Sequence, residues 1–341
     1  MPGSYNFPPE VRSLLSAHTV DRADLVAPGM SGAKVYKCAA SDGRTFALKC
    51  WPQGTRSQRV AEVHRVQQTA HHGGCDFVPQ LFSSPLTDTT YLAAAGALWE
   101  LSDWVPGTPL TQDASPAQIA RGASAIAQFH HSVADLHQEL APPPAIGNRL
   151  RRLAELDRLL PQTFQSETST RYAEPLREAI GEICSLLFAS WSTIRDEIRT
   201  WLQAEIDQPG PIQYVLRDVH RQHLLFCQDH VSGLIDFDAI RIDTPLTDLA
   251  RWGGSFTAGR DDENQVWQAV LAGYGENYPF QQYRDPAHAV AVIRELNRSA
   301  TWISLANWAV WIRLECRSFP AGDQAVRARI NELCTMARQD L

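Results

Sequence analysis

The chain has 341 residues, 44% of them hydrophobic, enough for two lobes with a core in each, which argues against a small binding module. Its 31 basic and 38 acidic residues leave a formal charge of -7, with no basic block able to follow a phosphate backbone, so nucleic acid is not an expected partner. No apolar run nears the ~20 residues that cross a bilayer, because TWISLANWAVWIRLE is broken by Asn307 and Arg313, and no membrane partner is expected.

In chain order, Pro9 to His18 reads as a short helix. Val35 to Cys38 and Thr45 to Cys50 are β-prone runs around SDGR, a hairpin turn with Asp-Gly at its centre. RSQRVAEVHRVQQTAHH places Val60, Val63 and Val66 on one helical face and ends at Gly73-Gly74. FVPQLF and TTYLAAAGALWELSDWV suggest more strands, leaving through a turn at Pro106-Gly107.

From SPAQIARGASAIAQFHHSVADL onward the pattern is mostly helical, with Ser115 as a helix N-cap ahead of Pro116. One short β unit interrupts it, LLF and VSGLIDF around CQDH, with Asp218 at one end of this hairpin and Asp236 at its other end. The last third returns to helices, one opened by the acidic turn DDE. The seven cysteines (38, 50, 75, 184, 227, 316, 334) form no C-x-x-C pair, and the opening MPGSYNFPPEV lacks a signal-peptide layout. The expectation is reduced thiols and a cytoplasmic location.

Three features carry chemistry. In APGMSGAKVY, Gly29 and Gly32 bracket a loop that includes Ser31 and whose backbone N–H groups are suited to phosphate oxygens. Lys49 lies in the apolar strand FALKCW, where a half-buried charge needs a partner, and Glu62 on the following helix is the candidate. The motif LRDVHRQH with the hairpin after it supplies Asp218, His223 and, eighteen residues beyond Asp218, Asp236. Phosphoryl transfer needs such a set: a carboxylate near the attacking hydroxyl and ligands for the ions that neutralise the phosphates. A transition-metal site of Asp218, His220 and His223 is the competing reading, but its spacing matches no standard metal motif and leaves Lys49, Glu62 and Asp236 unexplained.

Over residues 25 to 255 the chain resembles the aminoglycoside phosphotransferase and choline kinase family, whose catalytic loop reads His-Gly-Asp-Leu-His-Pro-x-Asn. The resemblance implies that Asp218 is the catalytic aspartate. It makes Asp236 in LIDFD a metal ligand, and Asp243 and Asp248 in RIDTPLTDLA the acidic positions downstream, Asp248 bracing the loop. WELSDWVPGTPL would join the lobes, with backbone near Glu100 and Ser102 reading the adenine edge. Two departures stand out: Leu216 replaces a histidine, and His223 replaces the asparagine that holds magnesium. An imidazole suits magnesium poorly, and suits a softer ion such as manganese or a phosphate contact better.

The expected fold is α+β, a bilobal protein-kinase-like fold with an N-terminal antiparallel sheet lobe (1–104) and a larger helical C-terminal lobe (105–341) that includes the catalytic hairpin. The expected activity is transfer of the γ-phosphate of ATP (or GTP), with Mg2+ (or Mn2+), to a hydroxyl of a small molecule: aminoglycoside-like, amino alcohol or sugar. The alternative is a nucleotide-binding pseudokinase with a regulatory role, motivated by His223. Trp302, Trp308 and Trp311 raise an aromatic box for a quaternary ammonium, although an apolar helix stripe is more often core.

Overall fold

The computed structural model describes residues 6–26, 32–275 and 286–341. It divides into two units. The first runs from the N-terminus to Thr108 and takes in His223–Asp238 and Phe319–Ala321; the second holds Pro109–Gln222, Ala239–Ser318 and Gly322–Leu341.

The first unit opens with α1 (Pro9–Ala17), β1 (Val20–Leu25), β2 (Lys34–Ala40), β3 (Thr45–Cys50) and α2 (Ser57–His72), followed by β4 (Leu81–Phe82), β5 (Leu92–Ala94) and β6 (Ala97–Asp103). They form an antiparallel sheet in the order β1-β2-β3-β6-β4, with β5 also on β6. The β2–β3 turn is the Asp-Gly turn expected from SDGR: Gly43 has φ 87° and the Asp42 carboxylate accepts from the Arg44 N–H. One face of the sheet buries Tyr36, Cys38, Phe46, Leu48 and Leu101 with Val11 and Leu14 of α1. Val60, Val63 and Val66 of α2 are fully buried, as their period of three requires.

The chain then passes through β7 (Thr108–Pro109) to α3 (Pro116–Val133), where Ser115 and Gln118 close a capping box. Next come β8 (Gln138–Ala141), α4 (Pro144–Gln165), α5 (Glu174–Glu205) and β9 (Gly210–Val215). The hairpin β10 (Leu224–Cys227) and β11 (His230–Leu234) follows, then β12 (Arg241–Asp243), α6 (Leu246–Gly254), α7 (Glu263–Gly275), α8 (Pro286–Ala309) and α9 (Gly322–Gln339). In the second unit β9 pairs with β8 and β12, both antiparallel. Helices α3 and α7 approach so closely that a Cβ on Gly273 would collide with the Ala120 carbonyl.

The β10–β11 hairpin, expected with the helical half, has its contacts in the first unit. The Leu234 N–H donates to Phe77 O (2.8 Å), Ser232 Oγ donates to Pro106 O (2.6 Å), and Gly233 leaves room for Val105. Among the described residues no helix is long and apolar enough to cross a membrane. All seven cysteines are free thiols.

Candidate active site

Lys49 sits on β3 opposite Glu100 of β6. Its ammonium ion-pairs with the Asp238 carboxylate and lies 4.1 Å from the centre of the Trp51 ring, a cation–π distance. The Trp51 N–H in turn donates to Glu100 Oε2 at 2.5 Å, and His64 Nε2 lies 2.6 Å from the same oxygen. The other His64 nitrogen is 2.7 Å from Thr90 Oγ1. Burial works against the charge on Lys49, yet Glu100, Asp238 and Asp236 outweigh it and raise its pKa above the ordinary lysine value. Burial likewise pushes the Glu100 carboxyl up, but Lys49 and His64 prevail and hold it below the ordinary carboxylate range.

This corrects the expected partner of Lys49. Glu62 is 2.8 Å from Arg59 Nη1, one helical turn away, and Arg59 also donates to the main-chain oxygen of Asp238 at 2.7 Å. The lysine instead takes the nearest carboxylate its extended strand brings within reach, on the segment that follows β11. The Glu100 main chain lies in the β3–β6 pairing, and its buried side chain is a counter-charge to Lys49. Ser102, further along β6, is paired with Ala47 on one side and Leu81 on the other.

Asp236 holds a left-handed backbone, φ 66°, and leaves its carboxylate 42% exposed. His223 Nε2 is 3.5 Å from Asp236 Oδ2, and the His223 carbonyl accepts from the Ile235 N–H at 2.9 Å, so these two residues are held together. Asp238 is pushed up by burial and by Asp236, with Lys49 opposing. Three carboxylates thus stand around one ammonium, an excess of negative charge that a divalent cation fits. The oxygen donors suit magnesium; the imidazole of His223 does not. Gly32 has φ 79°, a conformation glycine adopts freely. Ser31 and Gly29 lie outside the described residues.

Asp218 belongs to the second unit, in the loop after β9. The loop is anchored by buried Asp248, which accepts from the Leu216 N–H (2.7 Å) and the Arg217 N–H (2.6 Å) and lies 2.9 Å from His130 Nε2. His130 continues to the Tyr274 hydroxyl at 2.9 Å. Arg217 takes φ 66°, where a side chain costs roughly 1–2 kcal/mol, a strain that recurs at functional loops. Arg251 Nε donates to Asp218 Oδ1 at 2.9 Å. His220 Nδ1 accepts from the Gln222 N–H at 3.3 Å, and its ring offers a nitrogen within 4.8 Å of an Asp218 oxygen. Asp243 is buried, and its Oδ1 accepts from the N–H groups of Ala145 and Thr244, both at 2.9 Å.

The aromatic box does not form around Trp302, which is fully buried and donates to Asp340 at 2.9 Å. Trp308 packs edge-on to Trp311, whose ring carries the Arg317 guanidinium. Sequence reasoning missed Asp238, Trp51 and His64. Trp51 had a signal: it stands two residues after Lys49, just past the end of β3, where a strand's alternation would bring it to the side of Lys49.

Comparison with known proteins points the same way. The model of the phosphotransferase enzyme family matches residues 26–285. A spectinomycin phosphotransferase solved in complex with ADP and spectinomycin shares 12% identity, with a TM-score of 0.69 over 98% of this chain and 95% of its own. An amicoumacin kinase in complex with AMP-PNP, Ca2+ and Ami gives 15% identity and a TM-score of 0.60 over 95% and 93%. The macrolide 2'-phosphotransferase of Brachybacterium faecium, an apoenzyme, gives 16%, with a TM-score of 0.58 over 93% and 95%. No curated protein sequence matches. The antiparallel sheet followed by a larger helical part is the fold of kinase-like phosphotransferases. The chain belongs to the phosphotransferase enzyme family. Membership makes it a phosphotransferase, and nothing in these likenesses favours a pseudokinase.

Proposed function

We propose that the chain transfers the γ-phosphate of ATP to a hydroxyl of a small molecule, with Mg2+. The observation that carries this reading is the arrangement at Lys49, a charged lysine buried against Trp51 and Asp238 with Asp236 and Glu100 close enough to raise its pKa. A fixed cation of this kind serves phosphate oxygens, and the acidic excess beside it serves a divalent ion.

Each residue has a role. Lys49 neutralises the α- and β-phosphates, and Glu100 with Trp51 keeps it charged and in place. Asp236, with Asp238 beside it, would hold magnesium, which when bound neutralises phosphate charge. His223, a nitrogen donor in the place of the family's asparagine, contacts phosphate instead of the ion. Ser31 and Gly32 cover the phosphates through main-chain N–H groups, and the end of β6 from Ser102 onward meets the base. Asp218 accepts the hydrogen bond of the acceptor hydroxyl and takes its proton as the oxygen bonds to the γ-phosphorus. The bond from phosphorus to the bridging oxygen breaks, and ADP leaves. The members of the family solved with ADP or AMP-PNP support the nucleotide; spectinomycin and amicoumacin in the same structures support a small-molecule acceptor.

The test is ATP turnover with magnesium and with manganese against a panel of sugars, amino sugars, amino alcohols and hydroxy acids, beside an Asp218→Asn control. Phosphorylation of one class above that control supports the reading. Nucleotide binding with no acceptor raising turnover in any arm refutes it.

A further inference from the structure

We propose that the acceptor carries an anionic group, a carboxylate or a phosphate monoester, close to the hydroxyl that is phosphorylated, and that Arg251 and Arg329 receive it. This rests on the kinase reading above and narrows its substrate class.

The charges around Asp218 motivate it. Arg251 spends Nε on Asp218, and among the described residues nothing accepts from its two terminal nitrogens. Their edge is the fork that matches a carboxylate or phosphate. Arg329 gives Nη1 to Glu332 Oε2 at 2.6 Å, and its other nitrogens have no acceptor among the described residues. Glu332 is shared, because Arg221 Nη1 donates to its other oxygen at 2.6 Å. Two carboxylates, Asp218 and Glu332, therefore face three guanidiniums. The excess is felt within the protein: burial lowers the pKa of Arg329, and repulsion from Arg251 lowers it further.

A polycationic acceptor would need carboxylates to spare, and several acids of this unit are already spoken for. Asp262 is paired with Arg260 at 2.7 Å, Glu263 accepts from the Trp267 N–H at 2.6 Å, and Asp243 accepts two main-chain N–H groups with Arg217 3.8 Å from its other oxygen. Asp262 and Glu263 of the acidic turn DDE thus close on their own neighbours at a helix start. An acceptor anion on the free edge of Arg251 also has a consequence for Asp218. It draws the guanidinium toward the substrate and leaves the carboxylate oxygen for the hydroxyl proton.

Two arms test this in the full chain. In the first, inorganic phosphate and acetate are titrated into a Lys49→Met background, so that the phosphate-binding lysine does not compete, and thermal stability is followed. Stabilisation that is lost in Arg251→Gln and kept in part in Arg251→Lys is expected; no stabilisation, or the same in Arg251→Gln, overturns the proposal. In the second, ATP turnover is compared for glycerate, glycerol and serinol, and for ribose 5-phosphate and ribose. The anionic member of a series should be preferred at least tenfold. Its KM should rise about ten- to a hundredfold in Arg251→Gln, the worth of a charge-assisted pair. Which series responds separates carboxylate from phosphate. Preference for the neutral or cationic members, undiminished in Arg251→Gln, overturns the acceptor class and leaves the kinase reading standing. Anion binding that depends on Arg251 with no transfer to any acceptor in either panel does the reverse.

Discussion

The two units carry inverted charge patterns around their candidate residues. In the first, a single ammonium, Lys49, stands among Asp236, Asp238 and Glu100. In the second, the carboxylates Asp218 and Glu332 stand among Arg221, Arg251 and Arg329. Neither pattern is balanced, and buried or half-buried charge left unbalanced is costly unless a ligand completes it. The difference motivates the two proposals above: a divalent cation with phosphates completing the first set, and an anionic acceptor completing the second.

The largest expected effect comes from removing the carboxylate of the second set. Asp218→Asn should lower the rate of acceptor phosphorylation about 10²- to 10⁴-fold, the worth of a positioned general base. Nucleotide affinity measured by calorimetry should stay near that of the parent chain. A parallel loss of nucleotide binding would mean that Asp218 acts on the nucleotide.

The second change is to the brace beneath it. Asp248→Ala removes a buried acceptor that serves two main-chain N–H groups and His130, and should cost about 3–5 kcal/mol in urea unfolding. A cost below about 1 kcal/mol would show that the loop is held otherwise.

A third experiment sets two carboxylates of the first unit against each other. Asp238→Asn should weaken ATP binding about tenfold, because Lys49 loses its ion pair, while Glu62→Gln, whose partner is Arg59, should change it less than about twofold. The opposite order would restore Glu62 as the partner of Lys49.

The smallest effect is in acid. The Glu100 carboxyl is held below its ordinary value of 4.5, so its contribution is fully present above that pH and is lost as pH falls through the lowered folded-state value. In Glu100→Gln the midpoint of urea unfolding should fall less steeply below pH 4.5 than in the parent chain. Equal slopes would remove Glu100 from the ionised set around Lys49.

Much of the fold was legible because it rests on local patterns. The Asp-Gly turn, the valine stripe of α2 and the Ser115–Pro116 helix start are each written within a few residues. Asp218 and Asp236 stood out because the loop and hairpin that carry them are short and ordered. The partner of Lys49 was not legible: Glu62 is 13 positions away and Asp238 is 189, and sequence distance says nothing about which one a strand end will face. His223 was singled out by its residue type and expected beside Asp236 at a metal position; the ladder bond from Ile235 to His223 gives the physical link that holds them together.

By itself, then, the sequence determined the element order, the residue types available for phosphoryl transfer and the two departures at Leu216 and His223, because these depend on local periodicity and on chemistry carried by single side chains. Only the tertiary structure decided the company those side chains keep. Asp238 and Trp51 hold Lys49, Glu100 became a counter-charge, and arginines from α6, α9 and the Asp218 loop gather with Asp218 and Glu332. Charge balance is a sum over neighbours in space, and residues that are remote along the chain supply most of it.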